Sequence, residues 1–338
     1  MVRLNLDDYT LSSVLPDWFE IDQVYEEFVE VAITLQGKCI YTAKLYKDDD
    51  VATFYELRQI VEQNMIARGL TVASLVLSVD YGSSSEEVDG KYIIFSRYRN
   101  TSEFNIDFLE SHFLVNRTYY SMPREKSATI PFFATGEEDL SVNYDCMFDR
   151  NGAIWTYRLT QNMYHGNNPG VFYIPLSPSS VKFSVDRAEE EDCGKLLFFS
   201  VSVGSRYMRV YVIDEEPCAQ FYFRNSYNAT ETIFIFGTTT FKTEVNRKEA
   251  VIQNVTSFYD KTVSRKWDMK TVPLTQEEAL WYNEFLESDY VTKELTTEMD
   301  RQEILISDVT SEISDSAKDL VSIKFSYRYN DNAQWINP

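Results

Sequence analysis

The stretch VSIKFSYRY (321–329) sets Val321, Ile323, Phe325, Tyr327 and Tyr329 against Ser322, Lys324, Ser326 and Arg328. Apolar and polar side chains alternating at period two belong to a strand with one buried and one wetted face, as in an antiparallel sheet. The same pattern recurs upstream. In YMRVYVI (207–213), Met208, Val210 and Val212 share one face, while Tyr207, Arg209 and Tyr211 share the other. LLFFSVSV (196–203), KYIIFSRY (91–98) and LTVASLVLSV (70–79) read as further strands, with YGSSSEEVDGK as a turn-forming stretch between the last two. Aromatic residues make up 15% of the chain, with 23 Tyr and 22 Phe, which suits pleated, half-buried surfaces. Only 11 Gly and 9 Pro leave little for flexible linkers. The expected fold class is mainly β, built from β-sandwich domains, with α+β elements in the N- and C-terminal regions.

Two short helices are expected. The first runs from Phe54 to about Arg68, with Thr53 and Glu56 as a capping box, Phe54, Leu57, Val61 and Met65 on one face, and Gly69 as the stop. The second follows Pro273, with Thr275 and Glu278 as capping box, Leu280, Trp281, Phe285 and Leu286 as its apolar side, and its carboxylates facing solvent. At 338 residues the chain has room for two or three domains of roughly 100–200 residues each. Polar breaks at NRTYYSMPREKS and at DEEP divide it into an N-terminal β-rich domain with one helix (1–118), a central β-sandwich-like domain (119–214) and a C-terminal β-rich domain with one helix (215–338). No repeat of fixed period and no low-complexity tract is visible.

The net charge of −21 argues against specific nucleic-acid binding, which rests on clustered Lys and Arg. Residues 1–60 carry 12 acidic and five basic side chains, which makes a solvated surface, an acidic wall for a basic partner, or a lumen that repels DNA. Cys39, Cys146, Cys193 and Cys218 lie far apart without a CxxC pair, and the only histidines are His112 and His165, so no metal site is expected. Lone thiols fit a reducing cytosol; sequence leaves two disulfides open as the alternative. MVRLNLDDYTL has acidic residues where a signal peptide needs a basic start, and no segment reaches the ~18–20 apolar residues of a membrane span. Synthesis in a cytoplasm and no membrane insertion are the expectations.

No catalytic residues emerge. Two histidines must supply every imidazole and neither sits in a nucleophile motif. Carboxylate pairs such as Glu137/Glu138 and Glu277/Glu278 are what 53 acidic residues produce in any case. Asp48, Asp49 and Asp50 lack the spacing of a calcium loop and read as a solvated turn before the first helix, with Asp50 assisting its N-terminus. There is no GxxxxGK[ST] or GxGxxG, so no cofactor is expected. The N-x-[ST] triplets at Asn100, Asn116, Asn228 and Asn254 matter only on a secretory route. Two sets of residues remain as candidates. Trp155, Tyr157 and Tyr164 in AIWTYRLTQNMYHG could stack on a sugar, or simply pack a sheet. Arg224, Asn225 and Asn228 in FRNSYNATETIFIF sit where the chain would turn between two apolar runs; Asn tolerates turn conformations, so a hairpin or interface is their leading role.

FYFRNSYNATETIFIFGTTTFKTEVNRKEAVI (221–252), SRKWDMKTVPLTQEEALWYNEFLESDYV (264–291) and ILISDVTSEISDSAKDLVSIKFSYRYNDNAQW (304–335) together resemble tail-associated virion proteins of phages and prophages from gut Bacteroidota. GKCIYTAKLYKDDDVATFYELRQIVE (37–62) is similar to the same group in its extended segment, acidic turn and helix. The resemblance covers about half the chain and brings no catalytic motif. It implies a β-sandwich structural subunit of the virion, similar to the distal tail proteins whose rings, commonly sixfold, join tail tube to tip, or another tail-tip or baseplate subunit. The partners it implies are other copies of the chain, six to a ring, other tail proteins, and a host surface glycan where a second sandwich acts in adhesion. An acidic subunit lining a conduit would also keep passing DNA from adhering.

Overall fold

The computed structural model describes residues 1–97, 106–136, 140–163, 168–253, 255–295, 301–310 and 320–330. The chain is mainly β, with 59% of residues in strands and 15% in helices. Its contacts form two compact units. The first comprises Met1–Ser121, Glu125–Val212 and Asn225–Glu231; the second comprises Met122–Arg124, Ile213–Arg224 and Thr232–Pro338.

In the first unit, a five-stranded sheet runs in the order Tyr9–Leu11, Ser85–Ile94, Val72–Asp80, Phe28–Leu35, Lys38–Tyr46. Beside it lies a small sheet of Val2–Arg3, Trp18–Asp22 and Val51–Tyr55. Alternate residues of these strands, among them Val31, Ile33, Leu75 and Leu77 from one sheet and Phe19, Ile21 and Phe54 from the other, join Leu57, Val61 and Met65 of the helix Leu57–Arg68 in one core. A second five-stranded sheet follows the order Ala153–Met163, Leu140–Arg150, Lys195–Val203, Arg206–Ile213, Tyr119–Pro123. Its inner residues Val142, Tyr144, Cys146 and Phe148 are buried, and the Tyr144 hydroxyl reaches Pro175 O at 3.3 Å, in the two-stranded pair Ala128–Ala134 and Gly170–Leu176.

The second unit is built on a seven-stranded sheet in the order Thr230–Ile235, Ala219–Arg224, Val291–Glu294, Arg301–Thr310, Lys324–Tyr329, Val255–Thr271, Gly237–Ile252. VSIKFSYRY behaves as its alternation requires: Val321, Ile323, Phe325 and Tyr327 are buried, and Ser322, Lys324 and Arg328 are exposed. Ser326 is buried on the polar side because its hydroxyl donates to Asp268 Oδ1 at 2.8 Å. The helix Gln276–Leu286 covers the apolar face, with the Phe285 ring 5.4 Å from Phe221 and 5.6 Å from Phe325.

Several local expectations are corrected. The described residues hold four α-helices where two were expected; Ile106–Ser111 and Pro178–Glu189 are the additional ones. The first helix begins at Leu57, because Thr53 and Phe54 belong to a strand whose residues Val51–Tyr55 pair with Trp18–Asp22. Glu56 is in the left-handed conformation without a side-chain cap, so no Thr53/Glu56 capping box forms. Asp50 lies in a two-residue turn between reciprocal Asp48 and Val51 backbone bonds, a strand away from that helix. Gly69 does end the helix, at φ +64°. In the fourth helix the Thr275/Glu278 capping box is present, but Leu280 is exposed and Ala279 and Tyr282 take the buried side with Trp281 and Phe285. YGSSSEEVDGK turns only over its first residues, and Ser85–Ile94 is already strand.

Candidate functional site

The segment containing Arg224, Asn225 and Asn228 is a hairpin between Ala219–Arg224 and Thr230–Ile235, but the three side chains do not converge. Asn225 is buried, and its amide is fully used. Nδ2 donates to Leu114 O at 2.7 Å and to Glu231 Oε2 at 3.1 Å, while Oδ1 accepts from Tyr227 N at 3.0 Å and Ala229 N at 3.1 Å. Asn228 holds φ +57° and donates Nδ2 to Met65 O and Leu70 O, both at 3.0 Å. It therefore caps the last turn of the Leu57–Arg68 helix, where carbonyls lack intrahelical donors. Arg224 does something else: its guanidinium lies over the Tyr290 ring at 4.5 Å, and its carbonyl accepts from Ser288 Oγ at 2.9 Å. Asn228 is also one of the N-x-[ST] positions, and its burial makes it unreachable for modification in the folded chain.

Sequence reasoning missed the charge at the centre of this tip. Glu231, wholly buried, pairs with Arg117 Nη2 at 2.7 Å, and the Arg117 guanidinium lies 3.5 Å from the Tyr120 ring centre. Nothing in ATETIFIF distinguishes a buried glutamate from an exposed one, so no signal was there to find. The arrangement carries no nucleophile; its chemistry is that of a lock.

Of the sugar-stacking candidates, Trp155 is half exposed and Tyr157 less so, both on the edge strand Ala153–Met163. Arg150 lies over the Trp155 ring at 5.6 Å. Tyr164 lies outside the described residues, as do His165, Asn100, Asn254 and the Glu137/Glu138 pair. The same sheet carries two shallow open grooves. One, of about 370 Å³, includes Tyr157, Arg158, Asp145 and Phe198 in its lining. The other, of about 440 Å³, is lined by Tyr119, Tyr207, Arg209, Tyr211 and His112 among others. There Arg209 donates to the Tyr211 hydroxyl at 3.2 Å, and His112 Nδ1 is 2.8 Å from Ser111 Oγ. Among the described residues no group of three His, Cys, Asp or Glu side chains could hold a metal ion, and no helix is long and apolar enough to cross a membrane. All four cysteines are free thiols.

In the second unit, Tyr222 donates to Glu294 Oε2 at 2.6 Å, accepts from Gln220 Nε2 at 2.6 Å, and lies under Arg301 at 3.4 Å. Burial, reinforced by Glu294, pushes the Tyr222 phenol up to about 12. Burial likewise lowers the Lys293 ammonium from its ordinary value. A long exposed feature is the hairpin Gly237–Ile252 and Val255–Thr271, paired over its whole length. Of the described strands, Lys324–Tyr329 pairs with this hairpin only at Trp267–Lys270, and within the described residues, 241–266 pair with one another. At ~3.3 Å per residue that is a ribbon ~40 Å long. Phe241, Val245, Val251, Val255, Phe258 and Tyr259 are all exposed along it.

No family model and no curated protein matches the chain. Two structures of the plexin A4 full extracellular region, one of domains 1 to 8 and one of domains 1 to 10, align over 99% of this chain at 9% and 10% identity, each with a TM-score of 0.21. The chain spans about a third of their length, 37% and 32%. Likeness at that score carries no argument about fold or function.

Proposed function

We propose that the chain is a structural subunit that works by protein–protein assembly and not by catalysis, in the phage-tail setting its sequence resembles. In that setting it is a distal tail, tail-tip or baseplate component, made in the bacterial host cytoplasm, that self-associates into a ring and joins other tail proteins. The observation that carries the assembly reading is the 241–266 ribbon. A two-stranded hairpin is marginal in water by itself, and this one presents large apolar side chains to solvent along its length. Such surface is accounted for when another chain covers it. The tail setting rests on the sequence resemblance alone.

Native mass measurement with negative-stain imaging of the purified chain, over a range of concentrations, tests the reading. Closed rings, six-membered ones above all, are expected; a monomer at every concentration overturns assembly. An antibody to the chain should then label the tips of virion tails, and labelling anywhere else on the particle, or none, removes the tail-tip position.

A second reading, a carbohydrate-binding adhesion module, is favoured by the groove where Tyr207, Arg209 and Tyr211 stand side by side, exposed, on a sheet face. Tyrosine rings with a neighbouring guanidinium suit stacking on an anionic sugar. Binding to a glycan array that falls when Tyr207 or Tyr211 becomes Ala supports it; loss on Trp155→Ala or Tyr157→Ala would place the site at the strand edge instead.

A further inference from the structure

The pairing register of the ribbon sorts its residues into two unlike faces. Phe241 stands opposite Trp267, Val245 opposite Val263, Arg247 opposite Lys261, and, past a bulge at Lys248/Glu249, Glu249 opposite Phe258 and Val251 opposite Thr256. Directly paired residues share a face, and alternate residues along a strand return to it. One face therefore carries Phe241, Val245, Phe258 and Val251 together with Arg247, Lys261 and Arg265, against a single carboxylate, Glu249. Arg247 over the Phe258 ring at 5.2 Å agrees with that sorting. On the opposite face Lys242 pairs with Asp268, Lys248 with Asp260 at 3.0 Å, and Lys266 with Asp308.

The apolar, basic face continues the face on which the second unit is built. Trp267 at the ribbon's root stacks on Tyr327 at 5.4 Å, and Phe221 touches both Tyr327 and Phe285 of the covering helix at 5.4 Å. At the root that face is core; farther out its side chains are bare, with Phe241 at 54%, Phe258 at 56% and Val251 at 69% exposure.

Charge identifies what covers it. Residues 237–271 hold seven cations and four anions, a net of +3, in a chain whose total is −21, so the remaining residues sum to −24. A basic arm on an acidic protein is complementary to other copies of that protein, and the −24 works against binding of nucleic acid or an anionic membrane. We propose that the apolar, basic face of the 241–266 ribbon docks on the acidic surface of a second copy of this chain. The contact is heterologous, arm of one copy to body of the next, the geometry that generates rings when its rotation closes and filaments when it does not. The inference rests on the assembly reading and names the element through which assembly occurs.

Sedimentation of the full chain tests it, with the wild type beside Arg247→Glu/Lys261→Glu and Val245→Ser/Phe258→Ser. Circular dichroism and Tm check that each remains folded. The expected result is self-association of the wild type and weakening of about tenfold or more in both variants. A photo-crosslinker at Val251 in the otherwise native chain makes the same test without touching the charges, and it should join two copies. If the wild type assembles but the folded variants assemble equally well, or the crosslinker joins no copies, the ribbon proposal is overturned and the assembly reading stands. A wild type that stays monomeric throughout removes both. Ribbon-dependent retention on duplex DNA or phosphatidylglycerol vesicles, without crosslinked copies, assigns the arm to a polyanion and also overturns the proposal.

Discussion

Asn225 uses both donors and both acceptor positions of its amide, and one of its partners is a buried glutamate. Buried amides of this kind stabilise less by what they contribute than by what their loss leaves unmade. The Arg117–Glu231 pair follows the same asymmetry more steeply. Glu231→Ala removes the carboxylate beside a guanidinium whose side chain is 3% exposed and should cost about 3–5 kcal/mol, whereas Arg117→Met/Glu231→Leu should recover the part due to charge and leave the ~1–3 kcal/mol of the unmade Asn225 bond. A double variant as unstable as the single one would mean that the loss does not come from the unbalanced charge. At Asn228, Gly and Ala both remove the bonds to Met65 and Leu70, but Ala must also adopt φ +57°. Urea unfolding should rank Asn228→Ala below Asn228→Gly by about 1 kcal/mol. Tyr144 supplies a pH dependence. Burial raises its phenol to about 12, above the ~10 of an unfolded tyrosine. A folded pKa raised in this way contributes stability that is complete below about pH 10 and is lost as pH climbs towards 12. Tyr144→Phe should flatten the decline of Tm across that window, and an unchanged slope would assign the decline to other groups.

At the scale of elements, what was legible is what one burial pattern dictates. VSIKFSYRY and YMRVYVI alternate because one sheet face is core and the other water, so the reading of a mainly β chain followed directly. The helix Pro178–Glu189 was missed for a reason inside its own residues: Val181, Phe183 and Val185 alternate with Lys182 and Ser184 and imitate a strand. The start signal was present in Ser177, whose hydroxyl accepts from Ser180 N at 3.3 Å, and in Pro178 at the first turn. The fold resolves the ambiguity by burying Val181 and Val185, four apart, and leaving Phe183 at 66% exposure. Thr53 and Glu56 failed in the opposite way, since pairing of Val51–Tyr55 with Trp18–Asp22 overrode a good local cap. Nor did the candidate residues announce their roles. Arg224, Asn225 and Asn228 were visible as turn chemistry, but their partners at Leu114, Met65, Leu70 and Tyr290 are distant in sequence. Two element-scale substitutions discriminate these local effects. Thr275→Ala removes a cap that is present and should cost about 1 kcal/mol, while Thr53→Ala, with no cap to remove, should not show that loss. Gly237→Ala should cost more than loss of the Thr275 cap, because a Cβ there would come within 2.0 Å of Lys270 O at a φ of +148°. It opens the ribbon at its root, so limited proteolysis within 241–266 should accelerate while Tm of the first unit is unchanged.

For the whole molecule the governing quantity is the separation of charge between a ribbon of +3 and a remainder of −24. Like charge on the rest of each copy opposes association at long range, while the ribbon attracts at contact, and salt weakens both within a Debye length of about 8 Å at physiological ionic strength. The apolar row of Phe241, Val245, Phe258 and Val251 does not weaken with salt. Self-association measured from low to high sodium chloride therefore separates the two contributions. If ribbon cations guide docking, the wild type should associate about tenfold faster than Arg247→Ala/Lys261→Ala at low salt, and raising salt should erase that advantage while changing dissociation much less, since steering acts on the encounter and apolar burial on the lifetime. Replacing sodium chloride by ammonium sulfate at matched ionic strength should then lengthen the lifetime of the assembled form, because excluded salts strengthen apolar burial. No difference between wild type and variant at any salt concentration would leave the cations of Arg247 and Lys261 without a part in assembly and the apolar row as the ribbon's contribution to it.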